Sequence, residues 1–261
     1  MKIDCVLTAT NDNNLYMEFI PMFIRLWKHF IPTVDVKIIF VASKIPDEYI
    51  VYKDNLILFE SIENINTAFI AQYIRLLYPG IMNYQNGVLI TDMDIMPMNR
   101  NFYVNNIKDI DDNKFVYLRD VLLSNNQIAM CYNVATPQIW SDMNGMKNMD
   151  DIKHAIIKSY NEVSYTGVPG EGGWSKDQED LYKKVMEWNT KTGNFVSIPD
   201  KKTKFVRLDR NALVFTNNVV HMIKSGRFCD YHALRPYEEF RQENEYIEDL
   251  FFGTNKSGKN G

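Results

Sequence analysis

The stretch Gly87-Val-Leu-Ile-Thr-Asp-Met-Asp-Ile-Met-Pro97 constrains this chain more than any other part of it. The apolar run Val88 to Ile90 reads as a buried strand, and it stops at two carboxylates, Asp92 and Asp94. Side chains two apart on an extended chain project to the same side, so the pair is expected to face one point. Two acids so placed repel unless a cation lies between them. Mg²⁺ or Mn²⁺ held by oxygen ligands and shared with phosphates is the natural occupant. A solvated turn is the plain alternative, since Asp-x-Asp also arises by chance. The location favours binding, because the pair follows about ninety residues of alternating strand and helix signals and sits where open α/β sheets take their ligands. Pro97 is expected to end the element.

Upstream, Ile3 to Leu7 reads as a first strand followed by a polar turn from Thr8 to Asn14. Such a turn either caps a helix or holds a nucleotide through free backbone groups and small side chains. Leu15 to Phe30 is apolar on most faces, with Glu18, Arg25 and His29 forming a polar stripe, which predicts a largely buried helix that Pro21 either begins or kinks. Val34 to Val41 and Leu56 to Phe59 read as buried parallel strands. Asn66 to Pro79 reads as a helix stopped by Pro79-Gly80, with Arg75 in an otherwise apolar segment, either snorkelling to solvent or aimed at an anion.

Beyond Pro97 the alternation loosens. Phe115 to Leu118 and Ile128 to Tyr132 read as strands, and Pro137 to Met143 and Asp150 to Tyr160 as helices. Thr166-Gly-Val-Pro-Gly-Glu-Gly-Gly173 lacks phosphate-loop spacing and reads as a cover or a close backbone approach to a ligand. Ser175 and Gln178 have the spacing of a capping box at the start of the next helix. Phe195 to Ile198, Phe205 to Leu208 and Val219 to Ile223 read as the last strands. His221 and His232 then flank Lys224, Gly226, Arg227 and Arg235, either as a surface turn or as a diphosphate clamp with one imidazole completing a metal shell.

Composition bounds these readings. The 261 residues carry a net charge of −4, which argues against a generic nucleic-acid binder. Cys5, Cys131 and Cys229 are too few and too widely spaced for a disulfide framework, so a reducing compartment is expected. The N-terminus does not read as a signal peptide and no run is long enough to span a membrane, which leads us to expect a cytoplasmic protein. Gly253 to Gly261 lacks apolar groups and is expected to be a disordered tail or a linker to further domains.

Val88 to Pro97, the helix ending Tyr73-Ile-Arg-Leu-Leu-Tyr-Pro79, Trp174-Ser-Lys-Asp-Gln178 and a late His followed by Gly and Lys or Arg together resemble the nucleotide-sugar glycosyltransferases of the GT-A fold. The order is similar to that of the retaining families that include glycogenin and bacterial galactosyltransferases, and to small transferases encoded by large DNA viruses, for which the host cytoplasm would be the setting. The resemblance spans roughly residues 3 to 236 and implies an α/β fold. A mixed, mostly parallel sheet in a Rossmann-like nucleotide-binding half (1–99) would be fused to a smaller acceptor-binding half (100–252) in one catalytic domain.

The resemblance also implies roles. Thr8, Ala9, Thr10 and Asn11 would hold the base, Asp92 would touch ribose and metal with Met93 beside it, and Asp94 would be the main metal ligand. Arg75 would contact the donor sugar or phosphate, and Asp177 and Gln178 would lie under the anomeric carbon. His221 would complete the metal site, Lys224 and Arg227 would neutralise the diphosphate, and Gly226 between them would also touch the donor. The familiar ending His-x5-Lys-Pro-Trp is absent, however, and His232, followed by Ala-Leu-Arg-Pro-Tyr237, is the alternative ligand. The expected cofactor is Mn²⁺ or Mg²⁺, with an imidazole ligand favouring Mn²⁺, and the expected partners are a nucleotide sugar, UDP-linked, and a glycan or glycoprotein acceptor. Retention would rest on Gln178 or a backbone carbonyl, and inversion on Asp177 or Glu179 as base. The competing readings are a nucleotidyltransferase and a non-catalytic carbohydrate-binding module.

Overall fold

A computed structural model describes residues 1–253. Its centre is a seven-stranded sheet in the order β3-β2-β1-β4-β7-β6-β8. These strands are β1 (Ile3–Asn11), β2 (Asp35–Val41), β3 (Leu56–Phe59), β4 (Gly87–Ile90), β6 (Phe115–Tyr117), β7 (Asn133–Ala135) and β8 (Phe195–Ser197). β7 alone among them runs against its neighbours β4 and β6; the other pairings are parallel. This is the mixed, mostly parallel sheet expected from the sequence. A second sheet, β5 (Ile95–Pro97), β10 (Asp230–His232) and β9 (Arg207–Asp209), lies beside it.

The near-continuous apolar strands are buried on both faces, as parallel strands under helices must be. Val6, Leu7, Ile38, Ile39, Val88 and Leu89 are fully buried. Helix Thr67–Leu77 packs on β1 and β2, and helix Ile20–Phe30 packs on β2 and β5 with Phe23 and Trp27 in the core. Pro21 sits in the first turn of the latter helix, where its missing N–H costs nothing, and so begins it. Gly87 is required where β4 threads between β1 and β7: a Cβ there would lie 2.6 Å from Val134 Cγ2 and 2.9 Å from the Lys2 carbonyl oxygen.

Several local expectations are corrected. β1 does not stop at Leu7 but runs to Asn11, because β2 pairs with it residue for residue from Cys5↔Asp35 to Asn11↔Val41. Thr8 to Asn11 is therefore strand, and Asn13 caps the short helix Asn14–Met17 that follows. The Asp-x-Asp segment is a turn rather than extended chain, closed by the Ile95 N–H donating to the Asp92 carbonyl at 3.2 Å. The strand expected at Ile128 to Tyr132 begins only at Asn133, since Tyr132 holds φ of 77°. Val219 to Ile223 is not a strand but part of helix Asn217–Lys224, whose cap Thr216 accepts from the Val219 N–H. Ser175 caps helix Lys176–Thr192 without a side-chain hydrogen bond, so the capping box does not form.

Gly253 ends helix Arg241–Phe252 in the left-handed conformation, and the rest of the expected tail lies outside the described residues. Among the described residues no helix is long and apolar enough to cross a membrane.

Candidate active site

Two registers bring the charged groups together. In the large sheet, the Thr91 N–H donates to the Leu7 carbonyl at 3.0 Å, which sets the turn carrying Asp92 and Asp94 beside the end of β1. In the small sheet, β10 pairs antiparallel with β5 and parallel with β9, so that His232 lies opposite both Ile95 and Asp209. The Ala233 N–H then donates to the Asp94 carbonyl at 2.9 Å. The ends of β1, β4, β9 and β10 thus meet at one cleft of about 380 Å³.

Ala9, Thr10 and Asn11 line this cleft, as does Met93. Thr8 does not line it; its hydroxyl is buried and has no hydrogen-bond partner among the described residues. Arg75 lines the cleft but is largely buried, donates to the Thr91 carbonyl at 3.1 Å and to the Gln72 carbonyl at 3.3 Å, and pairs with Asp92. It does not snorkel. Burial opposes its charge, but Asp92 and Asp177 outweigh this and hold the guanidinium more firmly protonated than usual.

Asp94 is 3% exposed and faces three partners. Arg210 Nη2 lies 3.0 Å, Arg235 Nη1 3.4 Å and His232 Nε2 3.6 Å from its Oδ2. Burial alone would raise the Asp94 pKa. The hydrogen bond and charge of His232, then Arg210 and Arg235, reverse this and hold the carboxyl well below the usual carboxylate range. His232 Nδ1 is 3.2 Å from Asp209 Oδ2, so the imidazole lies between two carboxylates with Nε2 turned toward Asp94. Arg235 also lies over the Tyr16 ring and donates to its hydroxyl.

Asp177 and Gln178 enter from the first turn of helix Lys176–Thr192 and line the cleft, as do Pro169 of the glycine-rich segment and Trp174 just after it. Asp177 is 4% exposed. Burial raises its pKa, and although Arg75 at 3.6 Å pulls the other way, repulsion from Asp92 helps bring it to about 7. Cys131 also lines the cleft, and burial, reinforced by Asp92, keeps its thiol protonated.

The residues expected around Gly226 are placed elsewhere. His221 and Lys224 are exposed on helix Asn217–Lys224, Arg227 is exposed just beyond it, and none of these three lines the cleft. The Gly226 carbonyl instead accepts from the Asn99 amide at 2.7 Å, also away from the cleft. Helix formation turns His221 outward, whereas strand pairing brings in His232.

Sequence reading missed Asp209, Arg210, Arg207 and Tyr16, all of which line the cleft or position a residue that does. One signal was there: Phe205-Val-Arg-Leu-Asp-Arg210 repeats the pattern of an apolar stretch ending in charge that marks Asp92 and Asp94.

Asp92 and Asp94 turn to different cations, and among the described residues no group of three His, Cys, Asp or Glu side chains is gathered closely enough to hold a metal ion. The donor chemistry nevertheless fits one. Asp94 Oδ2 and His232 Nε2 are close enough to share a coordination sphere, His232 carries the supporting carboxylate typical of metal-bound imidazoles, and Asp92 lies on the same turn.

No protein-family model and no curated protein sequence matches this chain. Solved structures do. A galactosyltransferase, LgtC, in complex with donor and acceptor sugar analogs superposes over 98% of this chain and 98% of its own, with a TM-score of 0.51 and 11% identity. The glycosyltransferase GlyE of Streptococcus pneumoniae matches 96% of this chain with a TM-score of 0.52 and 13% identity, and this chain spans 60% of it. At such identities the likeness establishes the fold, which is that of GT-A-type glycosyltransferases, and leaves function to be argued from the site.

Proposed function

We propose that this chain is a metal-dependent glycosyltransferase that moves a sugar from a nucleoside diphosphate, UDP in our reading, to a hydroxyl of a glycan or glycoprotein. The observation that carries the proposal is the convergence of Asp92, Asp94, His232, Arg210, Arg235, Asp177 and Gln178 on one cleft at the strand ends of a GT-A-type sheet.

Asp92, Asp94 and His232 would hold Mn²⁺. Once bound, the ion would act as a Lewis acid on the diphosphate. The backbone and amide of Ala9 to Asn11 would hold the nucleoside end. Arg210 and Arg235, whose guanidinium groups border the cleft, would donate to phosphate oxygens as charge builds on the leaving group. Arg75 orients Asp92 and carries positive charge toward Asp177, so it would position the reacting end of the donor. Departure of the diphosphate leaves oxocarbenium character on the sugar, which the Asp177 and Gln178 oxygens would stabilise from the opposite side. We favour retention, with Gln178 beneath the sugar, because the Asp177 carboxyl is 4% exposed and lies 3.6 Å from the Arg75 guanidinium, which holds it as a charge partner rather than as a free base for an acceptor hydroxyl.

A thermal-shift panel of UDP, GDP and CDP with and without Mn²⁺ tests the donor class. A ligand at a hundred times its dissociation constant stabilises a fold by about 2.7 kcal/mol, several degrees for a chain of this size. We expect UDP to give that shift only with Mn²⁺; a shift of equal size without metal would contradict the metal-dependent reading.

Asp209 supports His232 without lining the cleft itself. Asp209→Asn is expected to weaken Mn²⁺ binding in the presence of UDP by about 10- to 100-fold, as loss of a carboxylate behind a metal-bound imidazole does elsewhere. Calorimetric Mn²⁺ titration reads this directly, and an unchanged affinity would remove His232 from the ligand set.

A further inference from the structure

The geometry points to Arg210 as an internal cation that stands where the metal would bind in the free protein and moves to the diphosphate when nucleotide and metal arrive; this rests on the metal-dependent reading above. Arg210 Nη2 lies 3.0 Å from Asp94 Oδ2 and is also in contact with His232 Nε2. Those are the two donor atoms that an ion would take, themselves 3.6 Å apart. Its Nη1 is fixed by donating to the Ala233 carbonyl at 2.8 Å, and the side chain is 13% exposed. Arg235 also reaches Asp94 Oδ2, but from the Tyr16 side.

An ion about 2.2 Å from both donors would fall within the contact distance of Nη2, so ion and guanidinium exclude each other. Metal entry must break the contacts of Arg210 with Asp94 and His232. Left alone, the freed guanidinium would lose its counter-charge in a partly buried site, which is costly. A diphosphate bound in the cleft supplies replacement acceptors in bidentate geometry. Arg210 therefore penalises metal binding without nucleotide and favours it with nucleotide. By linkage, the same coupling tightens nucleotide binding when metal is present. A transferase so built would hold its metal weakly between turnovers and firmly with donor in place.

The test is Mn²⁺ affinity, read from the electron paramagnetic resonance signal of free Mn²⁺, for the native chain, R210K and R210Q, each with and without UDP. Without UDP, R210Q is expected to bind Mn²⁺ about 10-fold more tightly than the native chain, with R210K between them, because an ammonium keeps the charge but cannot bridge Ala233 and both donors. With UDP, the native chain is expected to gain at least about 10-fold in Mn²⁺ affinity and R210Q much less. Mn²⁺ binding by R210Q and R210K no tighter than native without UDP would overturn the role of Arg210 while leaving the metal site standing. Failure of the native chain to bind Mn²⁺ even with UDP would overturn both.

Discussion

Asp94→Asn is expected to lower kcat/KM for a nucleotide sugar by about 10³-fold, equivalent to about 4 kcal/mol of lost transition-state stabilisation. An amide binds Mn²⁺ weakly and carries no charge to answer Arg210, Arg235 and the ion. The same change is expected to abolish the Mn²⁺ dependence of UDP binding. The fold should persist with a Tm a few degrees lower at pH 7, because two guanidinium groups lose their counter-charge. The sign follows from the pKa. The carboxyl is held below its unfolded value of 3.8, so its ion pairs stabilise the native state throughout the neutral range and are lost only as pH falls into strong acid. Native-like Mn²⁺ dependence in the variant would remove Asp94 from the metal site.

Asp177→Asn is expected to lower activity by about 10²-fold or more while stabilising the fold above pH 7. Burial raises this carboxyl from 3.8 to about 7 despite Arg75, so ionising it costs folding energy. A raised folded-state pKa gives stability that is fully present below the unfolded value and declines as pH rises between about 4 and 7. Asparagine has no charge to bury. The variant's stability should therefore be flatter across that window, with a Tm gain on the order of 5 °C at pH 8. Arg75 keeps Asp92 and the Thr91 carbonyl, so it is not stranded. The pairing of lost activity with gained stability marks a residue kept for function at the expense of the fold. A variant less stable than native at pH 8 would contradict the burial argument, and unchanged activity would contradict the placement of Asp177 at the sugar.

What could be read from the sequence was local and strongly patterned. The apolar run of β4 ending in acids, the helix carrying Arg75 and the parallel strands were all legible because burial on both faces leaves an unbroken apolar signature. The errors came where pairing partners or helix caps override local pattern. β1 outlasts its apolar run because β2 continues to pair with it to Asn11. Val219, Val220 and Ile223 look like a strand, yet Thr216 caps a helix there and turns His221 to solvent. Asp209 and Arg210 were invisible as site residues because only the register of β9, β10 and β5 carries them to Asp94, across more than a hundred residues of chain. The choice between His221 and His232 was likewise a question of register that spacing alone could not decide.

Sugar transfer itself is tested most directly by turnover. The native chain should be incubated with Mn²⁺ and a panel of nucleotide sugars, with and without simple glycan acceptors, while nucleoside diphosphate release is followed by chromatography and the anomeric configuration of the sugar product by NMR. The account predicts slow Mn²⁺-dependent release from a UDP-linked sugar, faster with an acceptor, retention of configuration in the product, and loss of all release in Asp94→Asn. Metal-dependent binding of UDP with no release from any donor would contradict it and leave a nucleotide-binding protein built on a transferase fold.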